Sequence, residues 1–258
     1  MPTKKKGVAT LPPLTLLGLV IISITIFWLF SPSKSAKQTT TQSEKQEVSS
    51  REFASDPISL STPAKTGRVS VEQALNTRRS ERSFLDKSLT EKQVSQVLWA
   101  AQGVTTDWGG RTAPSAKSAY PLTVYLIALD VTGVEPGIYQ YIPGDLEPVH
   151  QLGPLRSGDF TEQTATAGRQ SQFQSVPAVL VITGNMQKMT DAFDGKPSDN
   201  NVYLEAGHVG ENIYLQAKAL GLGTVATGGF DKEKTTQLLD LPSSETLIYM
   251  MPLGYPGE

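Results

Sequence analysis

From Gly7 to Ser33 the chain carries no charged residue, and the run Leu14 to Phe30, LTLLGLVIISITIFWLF, is apolar over enough length to cross a hydrocarbon core as a helix. That run constrains everything after it, because it removes residues 1–33 from any water-facing fold and assigns them to a membrane anchor. Lys4, Lys5 and Lys6 precede it, so the positive-inside rule places the N-terminus in the cytoplasm and the rest of the chain outside it. A cleaved signal peptide is the competing reading. Its apolar region would exceed the usual ~7–15 residues, and SPSKSAK offers no clean small-x-small site, so the reading adopted is an uncleaved single-pass anchor. Residues 34–67 are rich in Ser, Thr, Gln and Lys with little apolar periodicity, which makes a disordered polar linker. One domain remains, over 68–258.

The composition excludes several chemistries for that domain. There is no cysteine, hence no disulfide, zinc–thiolate site, iron–sulfur cluster or cysteine nucleophile. With only His150 and His208 present, a multi-histidine metal site is excluded too, and redox chemistry would rest on an organic cofactor. A formal charge of −2 with no basic stripe speaks against nucleic acid. No serine sits in a GxSxG elbow, and Glu205 and Glu211 do not share a helix face, so hydrolase readings fall away.

Ser70-x-x-Gln73 and Thr90-x-x-Gln93 read as capping boxes that open two helices, the second carrying Val94, Val97, Leu98 and Ala101 on one face and closed by Gly103. Leu122–Leu129 and Ala178–Thr183 are buried strands, each introduced by a proline, Pro121 or Pro177. Gly137–Tyr141, a Pro143-Gly144-Asp145 turn and Leu146–Val149 form a hairpin. A long helix over Val202–Leu220 aligns Val202, Ala206, Val209, Ile213, Ala217 and Leu220, with Gly207 and Gly210 thinning that face and Gly221 ending it. A strand Gly223–Ala226, a helix capped by Asp231 and a strand Leu247–Leu253 complete an α+β layered sandwich around a mixed sheet.

Three short stretches carry the candidate chemistry. Arg78, Arg79, Ser80 and Arg82 place three guanidiniums and a hydroxyl within five residues, which suits a phosphate dianion; a solvated basic turn paired with Glu81 is the bland alternative. Pro114, Ser115, Ala116 and Ser118 lie in a small-residue loop leading into a buried strand, where backbone can approach a flat ligand; an ordinary surface loop fits equally. Thr227, Gly228 and Gly229 expose backbone N–H groups that either donate to a cofactor or make a turn. His208 reads as a hydrogen-bonded structural histidine and His150 as a surface residue.

Taken in order, RRSERSF (78–84), LTEKQVSQVLWAAQGV (89–104), RTAPSAKSAYPLTVYLIAL (111–129), PGIYQY (136–141), YLEAGHVGENIYLQAKALGLGT (203–224), TGGF (227–230) and PLGYP (252–256) resemble the nitroreductase superfamily, in particular its SagB/ThcOx-type dehydrogenase branch. The resemblance implies an α-β-α sandwich around a mainly antiparallel sheet and a homodimer with an FMN at each of two subunit interfaces. It further implies that Arg78, Ser80 and Arg82, with Arg79 beside them, hold the phosphate and ribityl end, that Pro114, Ser115, Ala116 and Ser118 line the isoalloxazine ring, and that Gly228 and Gly229 stand near N5 and the pyrimidine edge. The implied reaction is ping-pong hydride transfer from NAD(P)H to a nitro compound, quinone or other electron-poor molecule; outside the cytoplasm a quinol or protein would replace NAD(P)H as donor. SagB-like azoline oxidation and a tethered flavin module without its own turnover are the alternatives. PSAKS stands where the family has a PSAGA-like loop, so Lys117 and Ser118 replace small residues.

Overall fold

The structure is a computed structural model that describes residues 52–144 and 150–257. The anchor expected over 1–33 lies outside the described residues. Among those residues no helix is long and apolar enough to cross a membrane.

The centre is a seven-stranded sheet. Its strands are β1 (Ile58–Ser59), β3 (Leu122–Ala128), β5 (Gly137–Ile142), β6 (Gln151–Ser157), β7 (Ala178–Gly184), β8 (Gly223–Thr224) and β9 (Thr246–Gly254), in the order β1-β6-β5-β3-β7-β9-β8. Every neighbouring pair is antiparallel. Parallel pairing enters through the isolated bridge Ser80↔Thr224 at the β8 edge and through the small pair β2 (Leu89–Thr90) with β4 (Val131–Thr132).

Alternation along β3 builds two layers of core. Leu122, Val124, Leu126 and Ala128 face α2 (Glu91–Gln102) and α5 (Asp199–Ala219), following α1 (Val71–Thr77) in the chain. Tyr125 and Ile127 face the other way, with Val179, Val181 and Met250, toward α3 (Thr161–Gly168) and α6 (Lys232–Leu239). The result is the three-layer α-β-α sandwich. The predicted face of α2 is fully buried at Val94, Val97, Leu98 and Ala101, and Thr90 and Gln93 close their capping box in both directions. On α5, Val202, Ala206, Val209, Ile213 and Ala217 are buried, and Gly221 follows at φ +71°, the left-handed residue that ends the helix.

Four expectations change. The linker predicted over 34–67 is ordered from Glu52 onward as a strap along the domain. Ile58↔Leu152 and Ser59↔Gln151 pair as β1 with β6, Leu60 is buried, and the Ser61 N–H and hydroxyl donate to the Glu91 carboxylate at 2.7 and 2.5 Å. An extended strap held by backbone bonds to side chains leaves no apolar period to detect. The strand that pairs with Gly137–Ile142 is Gln151–Ser157; the arm expected over Leu146–Val149 lies outside the described residues. Pro154 fits the second strand because the register shifts between Ile138 and Tyr139. His150, expected at the surface, is 4% exposed and bonded on both nitrogens. Gly207 lies on the exposed side of α5 with Tyr203, Leu204 and His208, whereas Gly210 is buried against Tyr249.

Candidate functional site

Residues 78–82 leave α1 in extended conformation and run past the β8 edge, where Ser80 bridges Thr224 and the Glu81 N–H donates to the Thr224 carbonyl. The Arg78 guanidinium lies over the Tyr214 ring at 5.1 Å, Arg79 donates to the carbonyls of Asn76 and Arg78, and Arg82 donates to the Ser80 carbonyl at 3.3 Å. These groups meet neutral partners, so their charge is left to face solvent or a ligand. Gly223 lets the strand pass: a Cβ there would stand 2.6 Å from Cγ of Glu81.

Tyr214 on α5 joins the first and third stretches. Its hydroxyl lies 3.1 Å from Ser80 Oγ and accepts the Ala226 N–H at 2.8 Å, one residue before Thr227. Thr227 is tied to Met250 in both directions at 3.0 Å. Gly228 and Gly229 are then exposed, with nothing within 4 Å of a Cβ at Gly228, and the Gln170 side chain donates to the Gly229 carbonyl. Asp231 follows as N-cap of α6, its carboxyl held below the usual range by the Lys234 N–H and then by Arg169 at 2.8 Å. Tyr214 thus links the Ser80 segment to the chain entering Thr227, which bridges Met250 in the middle of β9, three residues before Leu253. Sequence reasoning missed Tyr214; its sole signal was a polar-tipped aromatic one residue off the buried face of α5.

Pro114, Ser115, Ala116 and Ser118 are elsewhere. Their loop runs into Leu122, which pairs with Gly184 and, through it, with Thr246 at the start of β9; Ser80 reaches β9 through Thr224 and Leu253 at its far end. At ~3.3 Å per residue those two ends of β9 are about 20 Å apart. The same separation shows on α5, where Ser115 acts on Glu205 while Ser80 meets Tyr214, about 13 Å further along at ~1.5 Å per residue.

Beneath this loop is a polar cluster. Glu205 is 2% exposed and burial pushes its carboxyl above the usual range, against the opposing pull of Ser115, Gln102, Arg111 and Lys188. Arg111 and Lys188 are each pushed down by burial. Sequence reasoning had set Glu205 aside for want of a second carboxylate on its face, and its partners come from three other elements. A cavity of about 650 Å³ lies between Ala64–Val71 and helices α1, α2 and α5, but none of the candidate residues lines it.

Fold and candidate site define an α-β-α sandwich with cationic and glycine-rich loops along its β8 edge. The chain belongs to the nitroreductase family, which residues 75–255 match. It is 36% identical over 187 residues to a Methanocaldococcus jannaschii protein named as a nitroreductase, covering 72% of this chain and 91% of that one. It is 24% identical to the trifolitoxin operon protein TfxC of Rhizobium leguminosarum bv. trifolii, over 70% of this chain and 54% of TfxC. Among solved structures, a Ralstonia eutropha protein named as a nitroreductase superposes with TM-score 0.65 at 28% identity, covering 81% of this chain and 93% of the other. One from Anabaena variabilis gives 0.63 at 24% identity over 72% of this chain, which spans only 38% of its length.

Proposed function

We propose that this chain is an FMN-dependent oxidoreductase whose two flavin sites are each completed by a second copy. The observation that carries this reading is the separation of the Arg78–Arg82 segment, at the Leu253 end of β9, from the small-residue loop at its Thr246 end. An arginine cluster facing outward fits a phosphate, and open space at Gly228 fits a flat ring against backbone. Arg78 and Arg82, with Ser80, hold the phosphate and ribityl end; Arg79 adds charge beside them. Gly228 and Gly229 offer main-chain groups to the ring, and Pro114, Ser115, Ala116 and Ser118 of the partner copy close its other side. Tyr203 and Leu204, 50% and 62% exposed on α5, supply an apolar surface for that copy.

Bound FMN supplies hydride acceptance and release at N5, so the chain needs no side-chain nucleophile. Its own residues bind, orient and exclude water. The acceptor is a nitro compound, quinone or related electron-poor molecule. The donor is NAD(P)H, or a quinol or protein if Leu14–Phe30 anchors the domain outside the cytoplasm. A second reading, oxidation of azoline rings in a peptide, is favoured by the likeness to a trifolitoxin operon protein.

The test is the visible spectrum of the purified full-length chain, with released cofactor identified, beside Arg78→Ala/Arg82→Ala. The reading predicts FMN at one per chain, with affinity lowered about 100-fold or more in the double variant, from charge-assisted bonds of roughly 1.5–3 kcal/mol each. A colourless chain that ignores added FMN refutes it.

A further inference from the structure

The loop before β3 holds a conformation that its residues do not favour. Lys117, Ser118 and Tyr120 have φ of +57°, +51° and +44°, in the left-handed region that L side chains seldom adopt. Three such residues within four positions persist only where the surroundings over-determine them.

Here the surroundings form a closed circuit. The Tyr120 N–H donates to Ser115 Oγ at 2.8 Å, and Ser115 stands beside the Glu205 carboxyl. Glu205 Oε1 accepts from Gln102 Nε2 at 3.4 Å, and Gln102 Oε1 accepts from Arg111 at 2.7 Å. The Arg111 guanidinium then covers the Tyr120 ring at 4.5 Å while the Arg111 backbone N–H donates to the Tyr120 hydroxyl at 3.2 Å. Lys188 closes the remaining side by donating to the Tyr120 carbonyl at 3.2 Å. Glu205 is the sole carboxyl in the circuit and lies on the buried face of α5, between Val202 and Val209. Its Oε2 is buried without a hydrogen-bond partner, an arrangement a stability-driven core would replace with an apolar side chain.

We propose that Glu205 is a positioning residue for the ring-lining loop: acting through Ser115 on one side and through Gln102 and Arg111 on the other, it locks residues 113–120 in their left-handed path. The lock decides where Ser115, Ala116 and Ser118 stand against a bound ring. It keeps Lys117, whose ammonium lies 5.8 Å from the Phe193 ring centroid, on the outer side of the loop. The role rests on the flavin reading above, whereas the lock itself does not.

Amide hydrogen exchange of the full-length chain without flavin tests the lock, with Glu205→Ala and Glu205→Gln beside wild type. In Glu205→Ala the peptide spanning 113–121 should exchange at least tenfold faster, with β3 and β7 unchanged. Glu205→Gln keeps the shape and an acceptor, and should stay within about threefold of wild type. Loop exchange at the wild-type rate in Glu205→Ala, a rise shared equally by β3 and β7, or equal rises in both variants overturns the proposal. FMN titration of the same samples separates the two readings. Wild type that takes up no FMN refutes the flavin site and leaves the exchange result to decide the lock. If wild type binds FMN, the dissociation constant should rise at least tenfold in Glu205→Ala and about threefold or less in Glu205→Gln; identical constants overturn the positioning role.

Discussion

Two buried ionisable residues make the pH dependence of this domain readable one side chain at a time. His150 donates from Nε2 to the Ser61 carbonyl at 2.9 Å, which leaves Nδ1 to accept from the Tyr141 hydroxyl at 2.9 Å. Burial lowers its pKa from 6.5, so the unfolded chain takes up the proton first. The native state therefore keeps this contribution above pH 6.5 and loses it as pH falls toward the lower folded value. Thermal unfolding followed across that acid range should show a shallower loss in His150→Gln than in wild type. Glu205 has the opposite sign. Its folded pKa is raised above 4.5, so the native state binds the proton more tightly, and stability declines as pH rises through that folded value. Glu205→Gln should match wild type in acid and exceed it in melting temperature at alkaline pH; a variant less stable at every pH would contradict the assignment.

At the scale of elements, the capping box of α2 and the buried stripe of α5 carry separable contributions. Thr90→Ala should cost about 1 kcal/mol by denaturant unfolding, and Ile213→Ala about 2–5 kcal/mol, because Ile213 is fully buried between helix and sheet. Tyr214→Phe should leave the helix intact yet weaken FMN binding, since it removes the hydroxyl shared by Ser80 and Ala226. These elements were legible in the sequence because their signals are local: Thr90 and Gln93 are three apart, and Val202, Ala206, Val209, Ile213 and Ala217 repeat at helical spacing. The strap and the β6 strand were not. Ser61 is ordered by Glu91, thirty residues away, and Pro154 is admitted to β6 only by the register shift opposite it, so neither leaves a mark within its own neighbourhood. The circuit around Glu205 was hidden for the same reason, its members lying on α2, α4 (Met186–Ala192), α5 and the loop before β3.

At the scale of the molecule, the eleven candidate residues could be nominated from sequence, but the separation of the Arg78–Arg82 segment from the Pro114–Ser118 loop could not. Only register shows that Ser80 joins β9 at Leu253 whereas the Pro114–Ser118 loop joins it at Thr246. That separation calls for a second copy, and Leu204→Asp should yield a monomer by sedimentation and lose FMN together with the contact. Mixing two defective copies is the most direct measurement of this claim. One carries Arg78→Ala/Arg82→Ala; the other carries a ring-lining loop blocked by Ser115→Trp. At an FMN concentration that fills wild type but not these weakened sites, neither should bind FMN alone. If each site is built from two copies, the mixed dimer regains one intact site, and bound FMN recovers to about one per mixed dimer. If each site lies within a single copy, mixing restores none.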